Sequence, residues 1–212
     1  MINWNLYVII DRETTKNKDP LDIATAAVAG GCDVIQLRDK VSFAKTVLKT
    51  AYSLRVLTRR ANIQFIVNDR VDIALAAEAD GVHLGEDDLP IGAARKILGK
   101  NKIIGRTTHS LEEALAAQEG GADYVSAGPI YETALKPDLA ARGLELIREF
   151  SKNIVIPFVA IGGINETNIG RVLEAGAEII AVVRAVVAKN EVTLATSILQ
   201  EKIRRHKEGL LR

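Results

Sequence analysis

The sequence predicts a single (β/α)8 barrel, on three observations. A short unit of small residues, glycine, an acid and an apolar run recurs along the chain. Strand-like and helix-like segments alternate through its whole length. The apolar runs end in residues suited to holding phosphate or metal. The recurring unit appears as Ala29-Gly30-Gly31-Cys32-Asp33-Val34-Ile35, Glu119-Gly120-Gly121-Ala122-Asp123-Tyr124-Val125 and Glu174-Ala175-Gly176-Ala177-Glu178-Ile179-Ile180, with a shorter version at Glu78-Ala79-Asp80-Gly81-Val82. Each reads as a helix stopped by glycine, followed by a tight turn into a buried strand.

Taken in order, strands are expected near 5–10, 33–37, 64–67, 80–84, 102–105, 123–127, 156–161 and 178–183. Helices are expected near 20–30, 43–60, 70–77, 90–98, 110–119, 139–150, 165–174 and 191–207. Pro20 and Pro90 suit helix starts, where a missing N–H leaves nothing unsatisfied. Ser110-Leu111-Glu112-Glu113 reads as a capping box. The rival architecture is an open doubly wound sheet, which normally carries a glycine-rich turn after its first strand. Here Asp11-Arg12-Glu13 stands there instead.

The 212 residues suffice for one good-sized domain, taken as residues 1–212. A formal net charge of +1 gives no global field for nucleic acid or an acidic membrane. Phosphate affinity must then come from local placement. Cys32 is the only cysteine, so no intramolecular disulfide forms and a reducing, cytoplasmic setting is expected. No signal peptide or membrane span is evident. Small phosphorylated molecules are the expected partners; monomer and homodimer both stay open.

In a parallel barrel all the strand ends meet on one face, where barrel enzymes keep their chemistry. Gln36-Leu37-Arg38-Asp39-Lys40 follows the second strand, and Arg38 and Lys40 suit a diphosphate. Asn68-Asp69-Arg70 follows the third and Gly85-Glu86-Asp87-Asp88 the fourth. Asp69 and Asp88 read equally as a magnesium pair completed by water and substrate phosphate, or as helix caps. Gly105-Arg106-Thr107-Thr108-His109 follows the fifth; His109 is a candidate acid–base, and His83 reads more as a structural residue. Gly162 and Gly163, after the seventh strand, let backbone amides approach a phosphate. Lys136 lies on a long loop able to bring a cation to a leaving group. Cys32 reads as core.

Together these segments resemble the thiamine phosphate synthase family and its relative, the thiazole tautomerase. The pieces that carry the likeness are QLRDK from Gln36, NDRVDIALAAEADGVHLGEDD from Asn68, GRTTHSLEEA from Gly105, GADYVSAGPIYET from Gly121 and VAIGGI from Val159. The resemblance implies a barrel that joins an aminopyrimidine methyl diphosphate to a thiazole phosphate, with pyrophosphate leaving. It implies that Gln36, Arg38, Lys40 and Asn68 hold the pyrimidine diphosphate and that Asp69 and Asp88 hold Mg2+. It further implies that Thr107 hydrogen-bonds the diphosphate and that Lys136 contacts the leaving group. Thr133, Gly163 and the amides near Val183 and Arg184 are implied to hold the thiazole phosphate.

Four positions depart from the family pattern. Leu135 stands where a hydroxyl is usual, a loss worth about 1 kcal/mol or more. Glu86 replaces a usual Gln, Arg184 a usual Ser and Ile179 a usual Gly. Gly105-Arg106 and Tyr131-Glu132-Thr133 look more like the tautomerase, in which a His matching His109 is the proposed acid–base. The acidic pair with Arg38 and Lys40 favours the synthase. A non-catalytic phosphate-binding barrel is the third reading.

Overall fold

The computed structural model describes residues 2–15, 18–134 and 139–209. Eight parallel strands close into a barrel in chain order, β1 pairing with β8. They are β1 Leu6–Asp11, β2 Val34–Arg38, β3 Gln64–Asn68, β4 Gly81–Leu84, β5 Ile103–Thr108, β6 Tyr124–Ala127, β7 Phe158–Ala160 and β8 Ile179–Val182. The helices α1 Arg12–Thr15, α2 Pro20–Ala29, α3 Ala44–Ala61, α4 Val71–Ala76, α5 Ile91–Leu98, α6 Leu111–Glu119, α7 Gly143–Asn153, α8 Ile169–Glu174, α9 Arg184–Val187 and α10 Val192–Lys207 surround it.

The strand alternation sorts side chains into two cores. One face of each strand, with residues such as Val8, Ile35, Phe65, Val82 and Val125, packs under the helices. The other face fills the barrel: Tyr7, Ile9, Val34, Ile66, Tyr124, Val159, Ile179 and Ala181, closed at the N-terminal end by Trp4. Trp4 meets Tyr7 and Tyr124 edge-on, at centroid distances of 5.6 and 5.3 Å. Two residues up each strand the same inward period reaches Gln36, Asn68, Thr107 and Ser126. The barrel filling thus becomes the floor of the mouth.

The recurring acid has a physical role. Asp33 Oδ2 accepts the N–H groups of Asn5 and Leu6, both at 2.9 Å. Asp80 accepts from Phe65 N–H at 2.8 Å and Asp123 from Ile104 N–H at 2.7 Å. Each carboxylate therefore ties the start of the preceding odd-numbered strand. Arg55 and Arg95 cover Asp80 and Asp123 from outside. Glu178, in the fourth copy, is exposed.

Several boundaries differ from the sequence reading. β5 runs on to Thr108, because Thr107 and Thr108 stay in register with Ser126 and Ala127 of β6. α7 starts at Gly143, not near 139; Arg142 and Gly143 donate back to the Pro129 and Ile130 carbonyls and fix the entry. The short helices α1 and α9 were not expected. Pro20 is the first residue of α2, capped by Asp19, whereas Pro90 precedes α5 as its cap residue. Ser110 caps α6, but Glu113 reaches back to His109 N–H, so the box closes one residue early. Among the described residues no helix is long and apolar enough to cross a membrane.

Candidate active site

A cavity of about 370 Å³ opens at the C-terminal ends of the strands. Gln36, Arg38, Lys40, Asn68, Asp69, Thr107, His109, Thr133, Gly163, Val183 and Arg184 all line it, so the structure gathers these expected site residues at one mouth. Lys136 and Leu135 lie outside the described residues. Ile179 sits deeper, in the barrel filling.

Cations face one side. β1 and β2 end in register at Asp11 and Arg38, and the buried Asp11 carboxylate holds the Arg38 guanidinium in an ion pair. The other Asp11 oxygen accepts from the N–H and hydroxyl of Thr14, both at 2.8 Å. That hold on Arg38 was not read from the sequence; Asp11, a lone acid ending an apolar strand, was the available signal. Lys40 lies past the end of β2, where its Nζ pairs with Asp69 Oδ2 at 2.9 Å.

The acidic pair flanks Gly85. Asp88 Oδ2 accepts the Gly85 N–H at 2.6 Å, and Asp69 adopts a left-handed φ of 61° at the β3 exit. Neither carboxylate caps a helix, since the cap residues of α4 and α5 are Arg70 and Pro90. Burial raises the proton affinity of Asp69, and the neighbouring Asp88 carboxyl raises it further, against the lowering effect of Lys40. A crowded pair of hard oxygen donors suits a divalent cation such as magnesium. Among the described residues no cluster of three or more His, Cys, Asp or Glu gathers to hold a metal. Water and substrate oxygens would supply its other ligands.

The opposite rim is backbone. Gly162 and Gly163 hold left-handed φ values of 104° and 66°. A Cβ on Gly163 would stand 2.7 Å from the Glu132 carbonyl oxygen, so the close approach of the two loops requires glycine. Asn165 and Asn168 both donate to the Gly163 carbonyl and hold the loop. Val183 and Arg184 begin α9 beside it.

The histidines divide. His109 Nδ1 hydrogen-bonds the Gly128 carbonyl. A carbonyl only accepts, so Nδ1 carries a proton, and the lone pair of the neutral imidazole falls on Nε2. His83 bridges two hydroxyls, Tyr124 at 2.9 Å and Thr107 at 3.0 Å. Cys32 is buried core, its thiol pushed up to about 12 chiefly by burial. The two tyrosines beneath the mouth escaped the sequence reading, because an aromatic on a strand reads as core filling.

Barrel enzymes of phosphorylated substrates concentrate their chemistry at this end of the strands, and by fold and by the charges at its mouth the chain falls in that class. Within the class it belongs to the thiamine monophosphate synthase family, whose model matches residues 6–186. It is 46% identical over 210 residues to the thiamine-phosphate synthase of Chloroflexus aurantiacus, covering 95% of this chain and 97% of that one. It is 47% identical over 197 residues to the thiamine-phosphate synthase of Shouchella clausii, covering 92% and 94%. The solved thiamine phosphate pyrophosphorylase of Pyrococcus furiosus superposes with a TM-score of 0.89 at 41% identity, covering 95% and 96%.

Proposed function

We infer that this protein is a thiamine phosphate synthase, a transferase joining an aminopyrimidine methyl diphosphate to thiazole phosphate. The observation that carries the reading is the cavity itself, lined by Arg38 and Lys40 at the end of β2, Thr107 on β5 and the Gly162–Gly163 loop after β7. Two phosphorylated substrates need two anion sites, and the full-length relatives carry the synthase name.

The reaction breaks the bond between the pyrimidine methylene carbon and the diphosphate oxygen. That bond's electron pair leaves on pyrophosphate, and the thiazole nitrogen donates a pair to the methylene carbon. The barrier is set by the departing negative charge, so fixed donors around it speed the step. Arg38, locked by Asp11, offers a forked donor; Lys40 offers a mobile point charge beside it. Thr107 donates its hydroxyl proton, and Lys136 is proposed as the closing cation. Gln36 and Asn68 orient the pyrimidine diphosphate. Thr133, Gly163 and the Val183–Arg184 backbone hold the thiazole phosphate. Arg184, where a small hydroxyl is usual, adds a positive charge to that end.

Asp69 and Asp88 would hold Mg2+, which when bound neutralises diphosphate charge as it builds. His109, with its lone pair on Nε2, supports a second reading as the base of a thiazole tautomerase, testable on the same sample. The lone buried Cys32 suits a reducing cytoplasm.

The test is substrate dependence. Pyrophosphate should appear only when both substrates and magnesium are present. Release from the pyrimidine diphosphate alone, at the full rate, would mean a hydrolase. No release, with turnover of the thiazole carboxylate tautomer, would establish the tautomerase instead.

A further inference from the structure

An unbroken chain of hydrogen bonds crosses the barrel at the cavity floor. Gln36 Nε2 donates to the Tyr7 hydroxyl at 2.7 Å. The Tyr7 and Tyr124 hydroxyls lie 3.1 Å apart. Tyr124 meets His83 Nδ1 at 2.9 Å, and His83 Nε2 meets Thr107 Oγ1 at 3.0 Å. The chain starts on β2 and ends on β5, and three of its members, Gln36, His83 and Thr107, line the cavity. Tyr7 and Tyr124 are 1% exposed and do not line it.

The donor at one end fixes the direction of every link. Burial pushes both phenols upward, so each keeps its one proton. Tyr7 accepts from the Gln36 amide and sends its own proton to the Tyr124 oxygen. Tyr124 then sends its proton to His83 Nδ1, which must accept. Neutral His83 therefore carries its proton on Nε2 and donates to Thr107 Oγ1. With its oxygen engaged as acceptor, Thr107 directs its own proton into the cavity. In this arrangement the protons of Tyr7, Tyr124 and His83 each lie between two members of the chain. The reverse direction would make Thr107 spend its proton on His83, leaving it unable to donate to a phosphate oxygen, which only accepts.

We propose that Tyr7, Tyr124 and His83 are positioning residues which, by a one-way hydrogen-bond chain begun at Gln36, fix the Thr107 hydroxyl as a donor to the substrate diphosphate. This rests on the reading that the diphosphate lies against Thr107. The chain also joins the two sides of the mouth, since reorienting the Gln36 amide would reverse it. Gly105 makes it possible: a Cβ there would stand 2.5 Å from the Tyr124 hydroxyl.

The test combines histidine nitrogen NMR with pyrophosphate binding in magnesium. The chain has three histidines, so the His83 signals are those lost in His83→Gln. Neutral His83 should be protonated on Nε2 in the wild type, and Tyr124→Phe should let the tautomers mix. Tyr124→Phe should also weaken pyrophosphate binding roughly tenfold, the weight of one hydrogen bond. In a Thr107→Val background the same change should add nothing. A wild-type His83 protonated on Nδ1, or unchanged pyrophosphate affinity in a folded Tyr124→Phe, overturns the proposal. Should Tyr124→Phe fail to fold, Tyr7→Phe breaks the chain one link earlier and the wild-type tautomer still decides. Wild-type protein that binds no pyrophosphate would sink the diphosphate reading, whatever the tautomer shows.

Discussion

Lys40 Nζ stands 2.9 Å from Asp69 Oδ2, so a lysine suited to phosphate is paired with a carboxylate suited to metal. Substrate and metal would each compete for one half of that pair. Both would be needed to separate it without leaving a charge uncompensated.

The first consequence concerns Asp88. It accepts the Gly85 N–H, which an asparagine carbonyl can also do. Asp88→Asn should keep the melting temperature while magnesium-dependent turnover falls by about a hundredfold, as expected for loss of a charge stabilising the departing group. Rates against magnesium concentration check this; a wild-type curve would remove Asp88 from the metal site.

The second concerns pH. Burial, then Asp88, raises the proton affinity of Asp69 in the folded chain. The folded state therefore holds this proton more tightly than the unfolded state does. The resulting stabilisation is complete below the ordinary aspartate range and is lost as pH rises through the raised folded value. In chelator, Asp69→Asn should gain melting temperature relative to wild type as pH rises across that window. A difference curve of opposite slope would contradict the assignment.

The third concerns Asp11. Its carboxylate is 1% exposed and serves both Arg38 and Thr14. Asp11→Ala should lower stability by about 3 kcal/mol, because a half-buried guanidinium loses its partner. It should also raise KM for the pyrimidine diphosphate, through the loss of Arg38's orientation. Chemical denaturation and steady-state kinetics read the two effects; an unchanged KM would mean that Arg38 needs no guide.

The fourth concerns Asp80. It binds Arg55 with both oxygens, at 2.7 and 2.9 Å, and the Phe65 N–H. Asp80→Ala should destabilise the barrel by about 2 kcal/mol, with kcat and KM unchanged in the folded fraction. A selective loss of activity at wild-type stability would argue against a purely structural role for the recurring acid.

The fifth concerns Gly163. An alanine there must push the Glu132 carbonyl and Tyr131 away from the loop. KM for thiazole phosphate should rise severalfold, while the pyrimidine diphosphate KM stays near wild type. Equal effects on both would place the thiazole phosphate elsewhere.

The barrel was legible in the sequence because its causes are local and repeated. Glycine stops, acids and apolar runs recur, and Asp33, Asp80 and Asp123 show why the acid recurs: each ties the neighbouring strand. The cavity-lining residues were legible because they sit at strand ends. What escaped depends on partners distant in sequence. The β5 extension needs the β6 ladder, and the α7 entry needs the carbonyls of Pro129 and Ile130. The polar chain from Gln36 to Thr107 joins five strands, β2, β1, β6, β4 and β5. No spacing along the chain reveals that Tyr7 and Tyr124 touch.

The product ratio tests the synthase reaction most directly. The protein is given both phosphorylated substrates, and thiamine phosphate and pyrophosphate are quantified together over time, with magnesium and then with chelator. One thiamine phosphate is expected for each pyrophosphate, with near silence in chelator. Pyrophosphate without thiamine phosphate, or full turnover in chelator, would contradict the synthase reading.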